Sequence, residues 1–222
     1  MQLAKAIFLL SLSLLNNNLV QAETKDWLFD VFLDNNIIGF HNFKLSNNNH
    51  LISDAKFKVD FLFFTAYEYQ HTSSEYWNND CLTSLNAITK ENTSLSKVNA
   101  HIDSNNFVIN GNVDNNKIKK MLPDCVMTFA YWNPRLFTQT KLLNPQNGDY
   151  LDVNFSYEGY QKLDVKGESK SVKVYHLKGN SSETLPEKPK IDIVLWYDKN
   201  NDWLGLRSIT PEGKVISYKR RL

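Results

Sequence analysis

The sequence predicts a mainly β protein, built as a large antiparallel curved sheet or incomplete barrel with a short helical lid. Three observations carry this: an apolar period of two along most of the chain, short polar turns between the apolar runs, and one aromatic-rich stretch where the alternation stops. About 200 residues follow the N-terminal segment, enough for a single β-rich domain over 23–222.

The first 22 residues have the layout of a secretory signal peptide. Lys5 supplies the positive charge, residues 6–15 are apolar, and Val20-Gln21-Ala22 puts small residues where a cleavage site needs them. The apolar run is too short to span a bilayer, which takes ~20 residues, and no Cys follows it to carry a lipid. The expected product is a periplasmic or secreted protein with no transmembrane anchor after cleavage.

The strands then follow in order. Residues 27–33 and 37–45 form a hairpin about Asp34-Asn35-Asn36. Phe57, Val59, Phe61 and Phe63 alternate with Lys56, Lys58, Asp60 and Leu62, as in a half-buried strand. Residues 67–77 favour β structure and end in the turn Asn78-Asn79-Asp80. From 117 to 143 the alternation fails, and residues 121–137 carry a dense apolar and aromatic cluster split by Pro123 and Pro134. A short helix is predicted over 125–131, ending before Asn133-Pro134 because the residue before proline avoids the α region. Leu151, Val153, Phe155 and Tyr157 resume the alternation, and Val172 and Val174 repeat it. Residues 180–190, with Pro186 and Pro189, read as a loop. The last three strands, 191–197, 203–209 and 215–219, make a meander, because their short turns cannot supply a parallel crossover.

Cys81 and Cys125 are expected to be disulfide-bonded, since an exported chain meets an oxidising compartment. Closing that loop stabilises the fold by roughly 3–4 kcal/mol on the chain-entropy model. Lys5 is the only charge in the signal peptide, so the formal net charge of +1 falls to zero on cleavage. A neutral domain has no net field to draw a polyanion, which argues against nucleic acid as a partner.

No catalytic residue, metal site or cofactor is assigned. The five His are scattered singly, without H-E-x-x-H or G-x-S-x-G, and no compact set of zinc ligands is visible. Two are worth weighing. His41 shares a strand face with Gly39 and Phe43, and His71 lies in a row with Tyr69, Ser73 and Glu75. Such a row holds a polar ligand or supports acid–base work, but is more commonly a hydrogen-bonded row on a sheet.

Tyr131-Trp132-Asn133-Pro134, then Leu143-Asn144-Pro145-Gln146-Asn147-Gly148, then Trp196-Tyr197-Asp198 and the closing meander resemble a bacterial secreted family catalogued only as a domain of unknown function. The opening segment from Phe32 to His41 is similar to that family's first hairpin. The resemblance implies no established activity. More loosely, the pattern is similar to lipoprotein-carrier-like periplasmic proteins, which implies an incomplete barrel with helices over its opening and an apolar cavity.

The expected function is therefore non-enzymatic: binding of an apolar or amphipathic, lipid-like ligand between the curved sheet and the lid. Phe129, Tyr131, Trp132 and Phe137 would line the site, and Arg135 would contact a headgroup, because a guanidinium suits phosphate or carboxylate. Two alternatives stay open. One is an interaction module of an envelope assembly, docking a protein partner through residues 61–64 or a sheet edge. The other is a hydrolase-type enzyme acting through His71, Glu75 and their neighbours.

Overall fold

In the computed structural model of the chain, the described residues are 24–61, 64–165, 167–180, 191–210 and 213–221. The signal peptide expected over 1–22, Leu62 and Phe63, all of the loop expected over 180–190 except Asn180, and Pro211-Glu212 lie outside them.

Among the described residues fourteen strands run in chain order: β1 (Lys25–Leu33), β2 (Asn36–Ser46), β3 (His50–Phe61), β4 (Phe64–Asn78), β5 (Cys81–Glu91), β6 (Ser94–Asp103), β7 (Asn106–Val113), β8 (Asn116–Pro123), β9 (Lys141–Leu143), β10 (Tyr150–Val165), β11 (Glu168–Asn180), β12 (Ile191–Tyr197), β13 (Trp203–Ile209) and β14 (Val215–Arg221). Their patterning explains them. β3 buries Leu51, Ser53 and Ala55 while exposing Ile52, Asp54 and Lys56, so one face packs and the other is wetted. Asn supplies much of the turn chemistry. Of the eight non-glycine residues described at positive φ, five are Asn: 49, 79, 92, 115 and 201. Asn tolerates this left-handed conformation better than most side chains, which accounts for its abundance between strands.

All fourteen strands form one antiparallel sheet in the order β8-β7-β6-β5-β4-β3-β2-β1-β14-β13-β12-β11-β10-β9. β1 pairs with β14, Val31 opposite Tyr218, so the first and last strands meet in mid-sheet. The two meanders leave from that seam, and the twist of so many strands curls the sheet on itself. β8 and β9 are the free edges and do not pair, so the barrel is incomplete. At Gly39, in β2, the next strand passes so close that an added Cβ would sit 1.9 Å from the Lys56 carbonyl oxygen.

Residues 124–140 connect the two free edges and fill the inside of the curl. Val126, Met127, Ala130 and Leu136 are buried there, in one core with Trp27 and Phe29 of β1, Trp77 of β4, Phe107 of β7, Tyr197 of β12 and Trp203 of β13. The helix expected over 125–131 is absent. That segment instead donates its backbone to strands: Val126 O accepts from Leu82 N at 2.9 Å, and Met127 O accepts from Leu143 N at 2.8 Å. Among the described residues the single helical turn is a 3₁₀ helix at Pro134–Thr138. Proline thus starts the helix where it was expected to end one. Its missing N–H costs nothing at the first position, and the Asn133 side chain caps the turn by accepting from Arg135 N at 2.9 Å.

Cys81 and Cys125 are disulfide-bonded, with Cα atoms 4.8 Å apart. The bond ties the inner segment to the start of β5. Beside it, Asp80 accepts from Asn133 Nδ2 at 3.2 Å and pairs with Arg135 Nε at 3.3 Å.

Candidate functional site

β4 places its alternate side chains inward. Tyr69, His71, Ser73, Glu75 and Trp77 are all buried, while Thr72 and Tyr76 on the other face are exposed. Polar inner groups on neighbouring strands extend this row. His41 Nε2 of β2 lies 2.7 Å from Ser53 Oγ of β3, and its Nδ1 lies 3.1 Å from the Tyr218 hydroxyl of β14. His71 Nδ1 lies 2.9 Å from Thr89 Oγ1 of β5. From the inner segment, Thr128 Oγ1 donates to Glu75 Oε2 at 3.1 Å, and Ser73 Oγ donates to Oε1 at 3.4 Å.

This polar row forms part of the wall of a cavity of about 990 Å³ between the curled sheet and the inner segment. Phe43, Leu51, Leu151, Ile193 and Leu206 supply apolar wall, and Phe129, Tyr131 and Trp132 face it from the inner segment. Within the lining Glu75 is only 3% exposed, whereas Gln146 and Ile209 are open to solvent.

Burial governs the protonation of the row, because a charge removed from water is costly. It pushes the Glu75 carboxyl up to about 7 from an ordinary 4.5, against smaller opposing hydrogen bonds from Thr128 and Ser73. It lowers His71 to about 4 and holds His41 well below the usual imidazole range, with repulsion from His71 adding to the effect on His41. Near neutral pH both imidazoles are therefore uncharged.

These shifts predict a broad stability maximum near pH 7. Between pH 4 and 6.5 the unfolded chain holds protons on His41 and His71 that the folded chain lacks, so stability rises with pH. Between pH 4.5 and 7 the folded chain alone keeps the Glu75 proton, so that group works in the opposite direction. The two imidazoles outweigh it up to about pH 7, by which the unfolded chain has given up most of its imidazole protons, and above that Glu75 slightly outweighs them. By pH 8 it has cost roughly 3 kcal/mol relative to a carboxyl of ordinary affinity. Glu75→Gln is expected to steepen the rise in stability between pH 5.5 and 8 by roughly 2 kcal/mol, measured by urea unfolding at pH 5.5, 6.5 and 8. Parallel profiles for variant and wild type would contradict the buried setting of Glu75.

The residues singled out from sequence divide. Phe129, Tyr131 and Trp132 line the cavity. Phe137 is not among its lining residues and stacks on Tyr175, ring centroids 3.8 Å apart, on another wall of the core. Arg135 is also absent from the lining. Its side chain is 68% exposed and pairs with Asp80 at the surface, so the cation expected at a headgroup points elsewhere. His41, His71, Ser73 and Glu75 converge in one cavity. The apolar group expected at 61–64 lies outside the residues whose side chains are described. Sequence reading missed Ser53, Thr128 and Tyr218. The β3 alternation flags Ser53 as inward, but nothing local marks Tyr218, which reaches His41 across 177 positions.

A family model described as Domain of unknown function (DUF6134) matches residues 29–221. No curated protein matches the sequence. Among solved structures, the chain is similar to a beta-barrel-like protein of domain of unknown function DUF1849 from Brucella abortus. That match has 12% identity and a TM-score of 0.64, covering 90% of this chain and 96% of that one. A match to the hypothetical lipoprotein YmcC from Escherichia coli K12 has 13% identity and a TM-score of 0.35, covering 93% and 92%. The first agrees with the open-barrel fold.

Proposed function

The chain belongs to the DUF6134 family of unknown function, and on that premise we propose from its cavity that it binds an amphipathic, lipid-like ligand outside the cytoplasm. The observation that carries this reading is the half-open cavity between the curled sheet and the inner segment. About 990 Å³ lies at the upper end of the range of small-molecule sites, and its lining combines apolar wall with a buried polar row on β2, β3 and β4 and further polar groups at 144–149 and 208–210. A ligand with an apolar body and a polar end suits a lining of both kinds. The Cys81–Cys125 disulfide supports an oxidising compartment, where such bonds persist.

Native mass spectrometry of protein purified from a bacterial periplasm without detergent tests this. The expected result is one bound lipid-like mass per chain, lost on denaturation. The purified protein should also bind the neutral probe N-phenyl-1-naphthylamine. A bare chain that leaves the probe in water would overturn the proposal.

The Ser53–His41 contact of 2.7 Å favours a second reading, hydrolysis of an ester in the same cavity. Serine and imidazole at that distance are the start of a nucleophile and base pair. His41 contacts Tyr218 and no carboxylate, and its depressed basicity makes it a weak base, so this reading ranks below binding. Turnover of p-nitrophenyl esters that disappears in Ser53→Ala would reverse the order.

A further inference from the structure

We propose that the polar end of the ligand is a cation, an ammonium group carried on an apolar body, and that Glu75 is its counter-charge. The inference rests on the cavity being a ligand site and goes on to name the class of ligand.

Among the described residues the cavity lining contains no Lys or Arg. It contains two carboxylates, Glu75 and Asp149. Asp149 already has a cation, Lys120 Nζ at 2.9 Å. Glu75 is different: its described hydrogen bonds come from the hydroxyls of Thr128 and Ser73, with no cation beside it. A buried carboxylate without a partner is costly to ionise, so an incoming ammonium relieves that cost as well as gaining the attraction. An anionic ligand meets the reverse situation. A carboxylate or phosphate entering here would lose its water and face Glu75, while the nearby cations are committed elsewhere, Lys120 to Asp149 and Arg135 to Asp80 at the surface.

The aromatic groups point the same way. Thr128, which bonds Glu75, begins the run Thr128-Phe129-Ala130-Tyr131-Trp132, whose three rings line the cavity. Trp132 is held between Trp27 and Trp77, with ring centroids 6.3 and 5.4 Å away. Aromatic faces attract cations and offer an anion nothing comparable. The other titratable groups of the cavity do not supply a rival charge. His41 and His71 are kept neutral, and burial pushes the Tyr131 and Tyr218 hydroxyls above their ordinary range.

The test is displacement of N-phenyl-1-naphthylamine at pH 8 by three ten-carbon ligands that differ only at the polar end: decylammonium, decan-1-ol and decanoate. Decylammonium is expected to compete at least about tenfold more tightly than decanoate, a difference of 1.4 kcal/mol. Glu75→Gln should erase that preference while leaving decan-1-ol within about twofold. In the wild type the preference should grow as pH rises from 6 to 8 and Glu75 ionises, which tests the same point if the variant fails to fold. Equal or tighter binding of decanoate, or an amine preference that survives Glu75→Gln, would overturn the cation assignment alone. Failure of the probe and all three ligands to bind would overturn the ligand-site reading together with it.

Discussion

The Cys81→Ser/Cys125→Ser double variant is expected to lose about 4 kcal/mol of unfolding free energy, because the disulfide closes a loop across 44 positions of sequence. The loss should appear as a lower urea midpoint with a somewhat steeper slope, because the unlinked unfolded chain is more expanded. The consequence should also be local. The disulfide lies next to Val126 and Leu82, whose backbone bond holds the inner segment to β5, and Thr128 sits just beyond with its hydroxyl on Glu75. Loosening this anchor should therefore weaken probe binding in protein that is still folded. A double variant within about 1 kcal/mol of wild type would mean that packing of the inner segment, and not the covalent tie, holds the fold together.

Trp203→Ala should be of similar size, about 3–5 kcal/mol, the usual cost of truncating a fully buried large aromatic. Trp203 is the hub of the aromatic core. Its ring lies 4.3 Å from Phe29, 5.2 Å from Phe43 and 5.0 Å from Tyr131, and its Nε1 donates to Gly205 O at 2.9 Å. Truncation leaves a void behind Tyr131, a wall of the cavity, so the site should enlarge and lose affinity along with stability. Tyr160→Ala serves as the contrast. That ring is largely exposed on β10, and its loss should change stability by less than about 0.5 kcal/mol. Urea unfolding of both variants checks the pair, and equal small effects would refute the central position given to Trp203.

Much of the sheet was legible in the chain. The period-two runs, the polar turns and the closing meander mark the strands, because a residue's place on a pleat depends only on its neighbours. The disulfide was equally legible, since only two cysteines are present. The inner segment was recognised as a break in the pattern, but its conformation was not. Proline restricts the residue before it and equally suits the first turn of a helix, so Pro134 alone does not say on which side the helix lies. What decided was the set of backbone partners that β5 and β9 offer to residues 126 and 127.

The candidate site shows the same division. Period two placed Tyr69, His71, Ser73 and Glu75 on one face of β4 from sequence alone. Whether that face met water or the interior was a tertiary matter, because a row of polar groups carries no hydrophobic signal of its own. Only the pairing of β1 with β14 brings Tyr218 to His41, and only the return of the inner segment brings Thr128 to Glu75. Arg135 and Phe137, chosen by residue type, fall outside the cavity because a 3₁₀ turn directs them towards Asp80 and Tyr175. The sequence by itself determined the strands, their faces and the disulfide, all set by neighbouring residues or by there being just one possible pair. The tertiary structure decided which faces enclose the cavity and which charges it contains, because those depend on contacts between residues far apart in the chain.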